Sequence, residues 1–252
     1  MSLSFGLGIG KGEGSQWTPR QLGLALKLWL EPNYGLLNES DPAVFPGDGD
    51  QLTKWTDLSR HGNHATATGS GFSYSTGNGG YVHAAGTEKM SIPQISAVAG
   101  VKHSIWARVL FKDGLAMNSS DIFYNDADSE GTDFWRTQSA TSQPSTLRGR
   151  YDNNTATFTL DAGTPGTDEG QLQDNTWYTI GLERDESNVN TAYINDVATA
   201  TVPKNGTLSF DQIVGGNGMV LGGYVVLIGK LLTSDERTKL HNYFTRWETH
   251  KP

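Results

Sequence analysis

Apolar and polar residues alternate along most of the chain with a period of two, the pattern of strands that lay one face on a core. Segment 102–111 shows it most clearly. Ile105, Ala107, Val109 and Phe111 share one face, and Trp106, Arg108 and Leu110 the other, more polar one. Segments 24–30, 80–84, 121–124, 134–136, 147–151, 155–160, 176–184, 190–194 and 197–202 read the same way, at the spacing of an all-β sandwich. Asn195 and Asp196 sit between two of these runs as a hairpin turn. The polar stretch 33–51 reads as a loop, and 52–67, which carries Trp55, as an ordered loop beside a strand.

The period changes near the end. Thr233, followed three positions later by Glu236, is a capping box, in which hydroxyl and carboxylate each accept from the other residue's amide. A helix is therefore predicted over 234–248. Its Leu240, Tyr243, Phe244 and Trp247 recur at i, i+3, i+4 and i+7, an apolar stripe that a sheet must cover. Hydrophobicity rises only after residue 23, so 1–23 reads as a Gly-rich N-terminal arm and 24–252 as one domain.

Composition narrows the function classes. The chain has 252 residues, 31 of them glycine, and no cysteine, which excludes disulfides and Cys-ligated metals. Its net charge is −8 with the basic residues scattered singly, so no stripe is available to follow a phosphate backbone and no nucleic acid is expected. No stretch is apolar enough to span a bilayer, and the Gly-interrupted start is a poor signal peptide.

Leu28-Trp29-Leu30, followed by Trp55, Asp57, Ser59, Gly62, Asn63 and Ala65, resembles the opening of laminin G-like domains in the concanavalin A-like lectin/glucanase superfamily. Segment 177–196, from Trp177 to Tyr193-Ile194-Asn195-Asp196, is similar to that family's paired strands, and 231–237 to its closing helix start. Arg60 stands where the family has glycine, so a turn needing positive φ is expected to be built differently. The resemblance implies a two-sheet antiparallel jelly roll, a fold that carries enzymes, lectins and scaffolds alike. It also implies a setting, since such domains are common in phage virion proteins.

Little in the chain points to catalysis. A retaining glucanase on this fold needs carboxylates on one side of a strand, but in Glu183, Asp185 and Glu186 the last two are adjacent and face opposite ways. No zinc-type histidine pair and no nucleophile elbow occurs, so the chain is expected not to be an enzyme. Asp126, Asp128 and Glu130 resemble half a calcium loop, with Thr137 where the closing acid belongs; a structural calcium is the one cofactor considered.

Sugars stack on aromatic faces, and seven aromatics are candidates for that role: Trp55, Trp106, Trp135, Trp177, Tyr124, Tyr151 and Tyr193. Alternation or helical phase assigns Trp29, Trp177 and Trp247 to the core. Trp135, flanked by Asp133 and Arg136 near the acidic loop, is expected to be exposed, with Tyr124 and Tyr151 beside it as the carbohydrate site. Two readings follow: a non-catalytic virion component, for capsid decoration or the tail or fibre, bound to other virion subunits and to its own copies through the arm; or a free-standing carbohydrate-binding module.

Overall fold

The computed structural model describes residues 16–67, 71–77, 80–84, 89–111, 119–124, 133–138, 146–152, 154–160, 172–173, 175–214 and 219–249. Within these, the side chains of 84, 111, 119–121, 124, 138, 214, 219 and 247–249 lie outside the description.

After a 3₁₀ segment, Pro19–Ala25, come β1 (Leu26–Leu30), β2 (Leu36–Asn38), β3 (Leu52–Trp55), β4 (Ala65–Ala67), β5 (Phe72–Ser75) and β6 (Tyr81–Ala84). They are followed by β7 (Lys89–Ala97), β8 (His103–Phe111), β9 (Ser119–Tyr124), β10 (Phe134–Gln138), β11 (Thr146–Tyr151) and β12 (Asn154–Thr159). The chain closes with β13 (Trp177–Arg184), β14 (Val189–Ile194), β15 (Val197–Pro203), β16 (Leu208–Val214), β17 (Met219–Ile228) and α1 (Ser234–Thr249).

All strand pairs are antiparallel, in two sheets. The first runs β15-β14-β13-β8-β17-β6-β5, with β1 also on β17, and the second β12-β11-β10-β9-β16-β7-β4-β3-β2. This is the two-sheet sandwich the alternation predicts. Ile105, Ala107 and Val109 of β8 and Tyr178, Ile180 and Leu182 of β13 face the second sheet's Phe123, Trp135, Leu147 and Phe158 in the main core. β2 falls in the stretch 33–51 read as loop, and β3 and β4 bound the loop within 52–67. β7, β16 and β17 were not legible as strands either: Pro93 interrupts β7, and Gly222 and Gly223 sit inside β17.

A second core lies on the outer face of the first sheet. There Leu240, Tyr243 and Phe244 of α1 cover Trp106, Val225 and Leu227, joined by Leu22, Leu26 and Trp29. The helix starts as its capping box dictates: the Glu236 amide donates to Thr233 Oγ1 (3.2 Å) and the Thr233 amide to Glu236 Oε2 (2.9 Å). Gly181 lets the Trp106 ring lie flat on β13, because a Cβ there would come within 2.5 Å of that ring. Trp17 packs edge-on against Tyr243 at 6.1 Å and Leu22 is buried, so the packed domain begins before residue 24. The rest of the expected arm, 1–15, lies outside the described residues.

Glu31 follows β1, 3% exposed, and accepts a hydrogen bond from the Tyr243 hydroxyl of α1. Burial pushes its carboxyl up to about 7, against the pull of Tyr243 and of the Arg246 guanidinium, which lies over the Tyr243 ring at 3.9 Å. The folded state thus holds this proton more tightly than the unfolded chain. The stability it contributes is complete below the ordinary value of 4.5 and is lost as pH rises through about 7. His103, held down to about 3 by burial and by Arg184, acts in the opposite sense below its ordinary 6.5. The effect of Glu31 is therefore read as a difference: between pH 5 and 8, Glu31→Gln is expected to gain up to about 3 kcal/mol relative to wild type. Parallel unfolding curves for the two proteins across that range would exclude it.

Candidate functional site

Trp135 and Tyr151 are fully buried, which corrects the expectation that they form an exposed sugar site. The reason is strand parity. Trp135 faces inward and stacks with Phe123 at 6.1 Å, while its neighbours Phe134 and Arg136 take the outer face, and the Tyr151 ring lies under the Arg184 guanidinium at 5.1 Å. Tyr124 is on β9 with its side chain outside the described residues, as are Asp126, Asp128 and Glu130 entirely. Trp55, Trp106 and Tyr193 are buried as well.

Trp177 departs from expectation in the opposite direction. Because Tyr178, Ile180 and Leu182 occupy the inner face of β13, Trp177 shares the outer face with Thr179, Gly181 and Glu183, and it is only half-buried. One rung of the first sheet runs Ser73, His83, Val220, Leu110, Trp177 across five strands. The rings of Trp177 and Tyr81 meet edge to face at 6.2 Å. Val220 and Leu110 on this rung are buried, while Tyr81 and Trp177 stay partly exposed.

Two features hold this aromatic pair in place. The Arg108 guanidinium lies 5.5 Å from the Trp177 ring centre and donates to Thr179 Oγ1 (3.2 Å), which also contacts His241 of α1 (2.9 Å). Gly222 supplies the space: a Cβ there would meet Arg108 Cγ at 2.8 Å and Trp177 Cζ3 at 3.0 Å.

Beyond Tyr81 opens a cleft of about 190 Å³, lined by Asp48, Ser73, Tyr74, Ser75, Tyr81 and His83. Its far wall is the 47–50 loop, tied to β5 by the Gly49 amide to the Tyr74 carbonyl (2.8 Å) and the Tyr74 amide to the Asp50 carbonyl (2.9 Å). Asp48 Oδ1 accepts from the Ser75 hydroxyl (2.9 Å) and from the Thr76 amide (2.9 Å) and hydroxyl (3.3 Å), bonds that hold its carboxyl below the usual range. The outer face of the second sheet offers no comparable aromatic surface among the described residues, since Arg136 lies 3.6 Å over the Phe134 ring.

The three carboxylates weighed for catalysis are engaged elsewhere. Glu183 is buried and accepts from Ser104 Oγ (3.0 Å), the Leu232 amide (3.2 Å) and Arg237 (3.4 Å), tying α1 to β13. Asp185 accepts two amides of its own turn, and Glu186 pairs with Lys102 at 2.5 Å. Sequence reasoning missed Asp48, which lay in a stretch read only as loop. It misplaced Trp177, whose facing was legible from the parity of β13.

No protein-family model and no curated protein matches the chain. Solved structures do. The binding domain of Paraclostridial Mosquitocidal Protein 1 superposes with a TM-score of 0.57 at 13% identity, over 87% of this chain and 52% of that one. The botulinum neurotoxin DC binding domain, solved with rat synaptotagmin II, gives 0.55 at 12%, over 87% and 52%. The chain thus spans about half the length of these toxin domains. Domain 4 of an extracellular GH43 arabinanase from Geobacillus stearothermophilus, solved with arabinotriose, gives 0.58 at 13%, over 86% of this chain and 98% of that domain. At these identities the likeness is one of fold, a β-sandwich that the arabinanase domain matches along nearly its whole length.

Proposed function

We propose that the protein is a non-catalytic glycan-binding module whose site is the Tyr81–Trp177 pair together with the Asp48 cleft. The observation that carries this reading is the half-exposed aromatic pair beside an exposed carboxylate. Aromatic rings take the C–H faces of sugars, and fixed polar groups select among the hydroxyls. The cleft has room for about six waters, the scale of a single sugar ring, and Tyr81 joins it to the Trp177 surface for a neighbouring ring. The near-complete match to an arabinanase domain solved with arabinotriose supports the same reading. A virion is the setting that the sequence resemblance favours, with many copies adding avidity to weak single sites.

The test is Trp177→Ala, read by calorimetry against neutral oligosaccharides that include arabinotriose. Loss of the stacking surface is expected to weaken binding at least ~10-fold, equivalent to about 1.4 kcal/mol, with the fold retained. Wild-type protein that binds none of a broad glycan panel at high concentration would remove the proposal.

A further inference from the structure

We infer that the cleft selects neutral glycans presenting a pair of adjacent hydroxyls and rejects glycans bearing carboxylate or sulfate, with Asp48 as the selecting group. This rests on the glycan-binding reading above and adds the ligand class.

The hydrogen bonds of Asp48 set its direction. All three run to Oδ1, from Ser75 and Thr76, so Oδ2 accepts none among the described residues. Asp48 itself is exposed at the cleft wall. An ionised carboxylate oxygen is acceptor-only with two lone pairs, so Oδ2 can accept from two neighbouring hydroxyl donors on one sugar ring. It offers nothing to an anionic group except repulsion.

The guanidinium packed on Trp177 does not offset that charge. Arg108 is 5% exposed, bonded to Thr179 and packed against Trp177, so its guanidinium lies beneath the aromatic pair and not in the cleft. The remaining side chains at the cleft, Ser73, Ser75, Tyr81 and His83, are hydroxyls and one imidazole, while Tyr74 turns into the core and its hydroxyl donates to Asn33 (3.0 Å). A chain carrying −8 adds a field that disfavours the approach of anions.

The experiment uses the full chain and titrates neutral oligosaccharides and their uronic-acid, sialylated and sulfated counterparts. Wild type is expected to bind neutral ligands at least 10-fold more tightly than acidic ones. Asp48→Asn keeps the side-chain shape and removes the charge; it is expected to lose ~10-fold on neutral ligands and to narrow or abolish the discrimination. Asp48→Glu keeps the charge on a longer arm, and is expected to go on rejecting acidic glycans while losing affinity for neutral ones. Thermal midpoints of both variants confirm that the loop is intact.

Equal or tighter wild-type binding of acidic glycans would overturn the inference. So would an Asp48→Asn profile identical to wild type while Trp177→Ala abolishes binding, an outcome that leaves the glycan-binding reading standing. If no glycan binds at all, the reading and the inference fall together.

Discussion

Replacing Arg184 with leucine is expected to lower the thermal midpoint by on the order of 10 °C, a loss of about 3–5 kcal/mol. Arg184 is fully buried at the end of β13. Its guanidinium donates to the carbonyls of Gly206 (2.5 Å), Ala97 (3.0 Å) and Val98 (2.7 Å), and so gathers the loop after β7 and the loop before β16 onto one side chain. Leucine fills part of the volume but leaves these carbonyls without a donor, the costly half of a broken buried contact. Lysine at this position reaches fewer carbonyls with its single ammonium, and an intermediate midpoint is expected. Differential scanning calorimetry decides it: a shift under about 3 °C for Arg184→Leu would mean that water replaces the guanidinium at little cost.

Asp57→Ala is expected to cost about 3 kcal/mol and to open the 56–64 loop to protease. The Asp57 carboxylate is 5% exposed and accepts four hydrogen bonds: the Trp29 and Ser59 amides at Oδ1 (3.0 and 2.8 Å), and the Ser59 hydroxyl and Asn63 amide at Oδ2 (2.7 and 3.0 Å). The Asn63 side-chain amide then donates to the Lys27 carbonyl (2.7 Å). One side chain thus closes the loop and fastens it to β1. Arg60 sits exposed in that loop with φ at 77°, keeping the left-handed turn that its replacement of glycine was expected to alter. Holding a non-glycine residue there costs about 1–2 kcal/mol, which the Asp57 bonds offset. Trypsin cleavage at Arg60 is therefore expected to accelerate at least ~10-fold in the variant as the closed loop loses its anchor. An unchanged cleavage rate together with an unchanged midpoint would show that the rest of the loop suffices.

The Asp57 loop also explains what the sequence resemblance consists of. Trp55 is a core residue whose indole donates to the Glu31 carbonyl (2.8 Å), and Asp57, Ser59 and Asn63 serve the loop, so this motif reports a way of building the sandwich and not a binding site. Apart from Trp177, which belongs to the proposed site, the second and third segments do likewise. Asn195 and Asp196 take the positive φ of the hairpin turn, and Thr233 and Glu236 start the helix. None of these residues lines the proposed cleft.

Local patterns determined the strands whose alternation is unbroken, the 195–196 turn and the helix with its buried stripe. Each depends on neighbours in the chain, through side-chain parity, positive φ or i, i+3 spacing. The same parity also held the facing of Trp177. What only the tertiary structure decided is which surfaces meet. The exposure of Trp135 was judged from polar neighbours in sequence, yet its inward face is sealed by Phe123 from another strand. The cleft joins Asp48 in a loop, Tyr81 on β6 and, through Tyr81, Trp177 on β13, residues far apart in the chain. Their approach depends on the order β13-β8-β17-β6-β5 and on the missing side chain of Gly222. Strand order is set by burial summed over the whole molecule, and no short stretch of sequence carries that sum.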